Sequence, residues 1–421
     1  MRVRRLLLAF SAAALALWAL LGGASAASAA GETIGGVIKS GTEGVPDVTL
    51  NISNETGFTE NAVTDADGKW RVEVPEPGTY TVTLDTATLP EGVALTNPDR
   101  TSAEVTVGPG QSKSVLFPTG EARAASDSTL DRALQLTTDG LILGLTIALA
   151  AVGLSLIFGT TGLTNFSHGE LVTFGALMAY FFNNLLGLPF FVAAVGAVIA
   201  GALFGYLQDR FFWRWLRKRG TGLIAMLVVS IGLGILIRYI YLFLFGGSTR
   251  QYASYAGQVG LTIGPVAITP KALVGAIVAI VVLVGTVLWL RLTRVGKASR
   301  AIADNSALAS ASGIDVNRVI SVVWMAGAAL AALAGIIYSM SLGVNWIEGF
   351  QLLLLIFAGV TLGGLGTATG AIVGSIIVGT MIQLSTLFIP SELKNVGALA
   401  VLIVILMIRP QGIMGRSERI G

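Results

Sequence analysis

Six consecutive residues between two apolar runs, Asn165-Phe166-Ser167-His168-Gly169-Glu170, bring together an amide, a hydroxyl, the single histidine of the chain and a carboxylate. A zwitterionic solute needs donors for its carboxylate and acceptors for its ammonium group. Asn165, Ser167, His168 and Glu170 offer both. Polar groups at membrane depth are costly and are kept where they line a route or hold a solute. The competing reading is local: the same side chains can cap backbone groups freed where a helix breaks. Metal binding is a poor fit, because one histidine and no cysteine leave neither a histidine cluster nor a thiolate site. The lack of cysteine also removes disulfides and thiol catalysis.

A second polar segment runs from Arg291 to Arg318 and carries Arg294, Lys297 and Arg300, then Asp304, Asn305 and Gly313. A long basic loop between spans suits a cytoplasmic face that another protein grips. A third polar feature is Arg238, isolated in the apolar run 222–245. A charge there wants a partner or water. Glu348, at the outer end of a later span, is a possible partner, and snorkelling to the interface is the alternative.

The elements around these residues follow from composition. Hydrophobic residues make up 53% of the chain and charged residues 12%, and mean hydropathy is +0.77. A soluble domain is nearer one quarter charged. The net charge of +3 combines an acidic segment, 31–121, with basic loops elsewhere, so it does not point to nucleic acid. Apolar segments at 138–159, 169–186, 188–206, 222–245, 270–290, 319–342, 350–366, 370–389 and 394–408 read as about eight to nine spans. The shorter ones are candidates for re-entrant segments. The recurrent glycines from Gly359 to Gly379 suit either close helix approach or broken backbone.

Before the spans, residues 1–30 read as a signal peptide: Arg2, Arg4 and Arg5, an apolar stretch Leu6 to Leu21, then small residues. An uncleaved first span is the alternative, and either places residue 31 onward outside the cytoplasm. Residues 31–120 alternate in short period-two runs, as in an extracytoplasmic all-β sandwich. Asp65-Ala66-Asp67-Gly68 within it reads as a turn rather than a calcium loop. Residues 121–136 read as a linker, and 137–416 as a polytopic α-helical membrane domain. Nine crossings from an outside start put each basic loop, including 209–220 and 291–318, on the cytoplasmic side.

The stretch Gly159 to Glu170 resembles the hallmark of branched-chain amino acid ABC-transporter permeases of the Liv type, with Ser167 a mild departure from the family's alanine. Gly296 to Asp304 and Asn305, running to Gly313, Ile314 and Asp315, resembles that family's cytoplasmic coupling loop. Gly363-Gly364-Leu365-Gly366-Thr367 and Arg409-Pro410-Gln411-Gly412-Ile413 are similar to further landmarks, in the same order. One departure stands out: the frame of the general importer loop reads Ala307-Leu308-Ala309 before Gly313, without its acid. Residues 31–120 resemble a carboxypeptidase-regulatory-like module, which is not part of the usual permease.

The resemblance implies the permease subunit of an importer for branched-chain amino acids, not itself an enzyme. It implies Asn165, Ser167, His168 and Glu170 on the substrate path, and Arg300, Asp304, Asn305 and Gly313 in the loop that couples to an ATPase. No phosphate-binding Gly-x-x-x-x-Gly-Lys-Ser/Thr loop occurs in the chain. ATP and magnesium would therefore sit on partner ATPase subunits, alongside a second related permease and an extracytoplasmic solute-binding protein in the cell membrane. Urea or short amides are the alternative cargo. A membrane-anchored sensor or scaffold is the alternative class, and an ion-driven carrier is disfavoured by the scarcity of intramembrane acids.

Overall fold

The computed structural model describes residues 32–120 apart from 41–42, 55, 91–92, 96–100, 109–111, 116 and 118, then 129–252 and 261–389, and single later positions up to Met414. The signal-peptide expectation and residues 121–128 lie outside the described residues, as does most of the ninth apolar segment.

Alternation of apolar and polar side chains sets the N-terminal module, because successive strand residues face opposite sides. Strands β1 (Thr33–Val37), β2 (Thr49–Asn54), β3 (Thr59–Val63), β4 (Lys69–Glu73), β5 (Gly78–Leu84), β6 (Ser102–Val107) and β7 (Ser112–Val115) form two sheets. One has the order β7-β1-β4, with β1 and β7 parallel; the other is antiparallel, β3-β2-β5-β6. Ile34, Leu50, Ile52, Trp70, Val72, Tyr80, Val82 and Leu84 share one buried core between them. Six of these strands match the alternating runs, and β3 is additional. In the turn before β4, Asp65 Oδ1 accepts from Asp67 N at 2.9 Å and Lys69 N at 2.8 Å. Gly68 there takes φ of +74°, so the acidic tetrapeptide is built as a turn. The hydrogen bond from Lys69 holds the exposed Asp67 carboxyl below the usual carboxylate range.

The second half is helical. The helices are α1 (Thr129–Thr161), α2 (His168–Tyr180), α3 (Phe190–Leu207), α4 (Leu223–Phe245), α5 (Pro270–Leu292), α6 (Arg294–Asp304), α7 (Ser306–Ala311), α8 (Val316–Leu342), α9 (Glu348–Gly363) and α10 (Ala368–Ser385). The continuous helical stretch that starts with α3 runs on to Lys218. Among the described residues six helices are long and apolar enough to cross a membrane: α1, α3 with its extension, α4, α5, α8 and α10. The two apolar segments that fall short are α2 and α9, which both begin after a polar break. Every one of the first eight apolar segments is thus helical.

In lipid there is little hydrophobic drive between helices, so close packing of small residues takes its place. α1 and α8 form the centre, each with 72% of its apolar window buried. α1 packs along α10 and α8 along α3. The glycine-rich region 359–379 does both things expected of it: Gly359 and Gly374 allow α9 and α10 to touch, whereas Gly364 and Gly366 have positive φ and break the chain between them.

Candidate functional site

α1 continues eleven residues beyond Ala150 to Thr161, a length of about 16 Å. The chain then turns at Gly162 (φ +67°) and returns through Leu163 to Ser167. His168, the first residue of α2, stands with Nε2 3.0 Å from Ala150 O. The break therefore climbs back along the last third of α1, and α2 starts inside the helical domain. A carbonyl only accepts, so Nε2 carries the proton.

Local chemistry explains the turn. Asn165 Oδ1 accepts from Ser167 N at 3.1 Å and from Ser167 Oγ at 2.7 Å. Phe166 N donates to Ser230 Oγ of α4 at 2.9 Å. Asn165 thus performs the capping role weighed above, while Ser167, whose hydroxyl caps no helix N–H, holds the Asn165 amide oxygen in place. The cluster is not exhausted by this: Asn165 Nδ2, His168 Nδ1 and Glu170 Oε2 are buried with no hydrogen-bond partner. All four predicted residues come together, and all are almost wholly buried. One orphaned donor and two orphaned polar atoms on acceptor-capable groups are what a zwitterion would engage.

The ion pair is the main correction to the sequence expectation. Arg238 does not meet Glu348. Its Nε and Nη2 donate to Glu170 Oε1 at 3.0 and 2.8 Å, and its guanidinium lies 3.8 Å from the centre of the Phe350 ring. Tyr241, one turn on from Arg238 in α4, donates its hydroxyl to Glu170 O at 3.0 Å. α4 thus clasps the start of α2 through Ser230, Arg238 and Tyr241. The isolated charge of Arg238 signalled the site, but its helical face and its partner are tertiary facts.

The residues expected to form a coupling loop sit apart, at the end of the helical domain that carries Arg214 and Arg217. α6 and α7 form a helical elbow. Thr293 caps α6 through Gly296 N at 3.1 Å, and Asn305 caps α7 through Leu308 N at 2.9 Å. Arg300 Nη1 donates to Leu290 O at the end of α5. Asp304 and Asn305 are exposed, and Leu308 projects from α7 with 68% of its surface exposed. Gly313 closes the elbow with φ +88° and open space at its Cβ position, so the backbone angle, not crowding, demands glycine there.

Sequence reasoning missed the strut beside this elbow. Asp209, in the extension of α3, is fully buried. It accepts from Arg217 Nη2 at 2.5 Å and Ser321 Oγ at 2.6 Å, and Arg214 Nη2 lies 3.6 Å away. Arg214 also donates to Asn317 O at 3.0 Å, tying α3's extension to the start of α8. The acid lay in a run read only for its positive charge.

A profile of the family described as "Branched-chain amino acid transport system / permease component" matches residues 136–407. The high-affinity branched-chain amino acid transport system permease protein LivH of Salmonella typhimurium is 33% identical over 298 residues, 68% of this chain and 96% of that protein. The corresponding protein BraD of Pseudomonas aeruginosa is 29% identical over 300 residues, 68% of this chain and 96% of its own. The fructose import permease protein FruG of Bifidobacterium longum is 24% identical over 276 residues, 64% of this chain and 80% of its own. No solved structure matches.

Proposed function

This chain belongs to the branched-chain amino acid transport system permease family, and from that premise we propose that it is the membrane-spanning subunit of an ABC importer for branched-chain amino acids. The observation that carries the proposal is the break at Asn165–Glu170. A polar cluster with Asn165 Nδ2, His168 Nδ1 and Glu170 Oε2 unpartnered, beside Ala150 within α1 and away from the helix ends, is expensive unless a polar solute uses it. The relatives LivH and BraD are named for branched-chain amino acids, which favours that cargo over urea or short amides.

In this reading the end carrying Arg214, Arg217 and the α6–α7 elbow is cytoplasmic, in keeping with the positive-inside rule. Arg300, Asp304, Asn305 and Gly313 belong to a docking element for the ATPase. Its exposed tip is Leu308, an apolar contact beside Ala307, which stands where the general importer loop has its acid. ATP and magnesium act on the partner chains, and hydrolysis there moves the elbow. The Asp209–Arg217–Ser321 strut passes that motion to α8. The β module lies outside the membrane as an accessory, near a solute-binding protein that delivers cargo, and a second permease completes the pathway.

The test is isolation of the native complex, identification of its co-eluting subunits and measurement of ATP-driven uptake in proteoliposomes. Uptake of leucine, isoleucine or valine, with an ATPase in the complex, is the expected result. Uptake of urea instead would move the cargo assignment. Recovery of the chain without any ATPase would overturn the importer reading.

A further inference from the structure

The break at Asn165 has a counterpart 180 positions later. Asn165-Phe166-Ser167-His168-Gly169 and Asn345-Trp346-Ile347-Glu348-Gly349 share the order Asn, aromatic, any residue, ionisable residue, Gly. The two stretches are folded alike. In each, the Asn Oδ1 accepts from the backbone N–H two residues on, Ser167 or Ile347, at 3.1 Å. In each, the Asn carbonyl accepts from the N–H three residues on, His168 or Glu348, at 3.3 Å. His168 and Glu348 are then the first residues of the short helices α2 and α9.

The surroundings repeat as well. A long buried helix precedes each break, α1 or α8, and an apolar helix follows, α3 or α10. The packing is exchanged: α1 lies along α10, and α8 along α3. Such an exchange is the mark of two structural halves related by a pseudo-two-fold axis, whose broken helices meet at the substrate. Here they meet backbone to backbone. A Cβ on Gly169 would overlap Gly349 O, and one on Gly349 would overlap Gly169 O. Gly349 N donates to Thr173 Oγ1 at 3.0 Å across the contact.

The two acids near this contact differ in one respect. Glu170 is answered by Arg238. Glu348 is 2% exposed, and among the described residues no cation stands within ion-pair distance of it. Its Oε2 accepts from Ser339 Oγ at 2.7 Å and Asn345 N at 3.3 Å. Its Oε1 has no hydrogen-bond partner. A carboxylate buried among neutral donors is completed by positive charge.

We propose that Glu348, oriented by Ser339 and Asn345, receives the ammonium group of the transported amino acid, across the Gly169–Gly349 contact from the Asn165–Glu170 break. The inference rests on the importer reading above. With the glycines touching, the site is shut; it is entered when the two halves part. Glu170 already holds Arg238 on its Oε1, so its free Oε2 makes the weaker claim on the ammonium.

The test compares Glu348→Gln and Glu348→Asp in the reconstituted complex, with saturating loaded binding protein, by the number of leucine molecules moved per ATP hydrolysed. A merely capping or space-filling Glu348 is replaced better by the isosteric Gln; an ammonium receptor is replaced better by the charged Asp. The expected result is a loss of about tenfold or more in leucine per ATP for Glu348→Gln and a smaller loss for Glu348→Asp. Coupling in Glu348→Gln equal to wild type, or better than in Glu348→Asp, overturns the proposal. If neither variant assembles, or both lose coupling alike, Ser339→Ala decides. It frees the carboxylate while leaving the bond to Asn345 N. A drop in leucine per ATP supports the proposal, and an unchanged ratio overturns it. Failure of the wild-type complex to move leucine would instead sink the importer reading, so the two failures are distinct.

Discussion

Replacing Arg238 with methionine removes both donors from a carboxylate side chain that is 1% exposed, while the Arg238 side chain is itself only 13% exposed. Water screens such a pair little, and the unpaired Glu170 is left in the helix interior. Breaking a buried pair in this way costs about 3–5 kcal/mol. Glu170→Met should cost less, about 1–2 kcal/mol, because Arg238 keeps its stack on Phe350 at 3.8 Å and is partly open to solvent. The double variant Glu170→Met/Arg238→Met exchanges the pair for apolar side chains of similar reach. It should return to within about 1 kcal/mol of wild type. The cycle should therefore be non-additive by at least about 2 kcal/mol. Denaturant unfolding of the purified protein in detergent, followed by tryptophan fluorescence, measures it. Single-variant effects that add to within about 0.5 kcal/mol would refute the buried pair. In proteoliposomes the stable double variant should transport poorly. Wild-type uptake by it would reduce the pair to scaffolding.

Asn165→Ala and His168→Ala should assemble normally, keep basal ATPase activity and lower uptake; wild-type uptake in both would remove the break from the solute path. Leu308→Asp should weaken ATPase binding in pull-down by about tenfold or more, since it puts a charge where an apolar tip docks. Gly313→Leu, forced into φ of +88°, should cost about 1–2 kcal/mol locally and uncouple hydrolysis from uptake; unchanged coupling would leave the elbow a plain loop. Asp209→Asn removes the charge that Arg214 and Arg217 share and should destabilise the protein by about 2–4 kcal/mol, read as a lower midpoint in detergent unfolding, whereas an unchanged midpoint would mean that Arg214 and Arg217 relax into water at no cost. Protease added to intact spheroplasts should cut within residues 31–120, and full protection of an inserted protein would place the β module inside.

Much of the architecture was present in the chain as periodicity. Short period-two runs closed by Asp65–Gly68 and Glu76–Gly78 could only be half-buried strands, because the pleat alternates faces whatever the partner strand is. Eight apolar segments became helices for a similarly local reason: in lipid each backbone group must be satisfied within its own segment. The polar interruption at Asn165–Glu170 was equally legible, since the residues that break the apolar run are the residues that cap the returning chain. The conformation of Gly313 and the caps at Thr293, Asn305 and Asp315 also belong to this local kind.

Pairing across the helical domain was not local. Arg238 could be read as needing a partner, yet Glu170 is 68 positions away and Glu348 is 110, and nothing in either helix fixes its rotation against the other. Arg238 and Tyr241 meet Glu170, and Ser230 meets Phe166, because all three lie on the face of α4 that packs on the start of α2. That choice leaves Glu348 without a cation. The meeting of Gly169 with Gly349, and the burial of Asp209 under Arg217 and Ser321, arise in the same way. Amino-acid order determined which segments are strands and helices and where they break, because those outcomes depend on hydrogen bonds and side chains a few residues apart. The depth at which each break comes to rest, and which charge answers which, were decided only by tertiary packing, where contact depends on the angle and offset between helices distant in sequence.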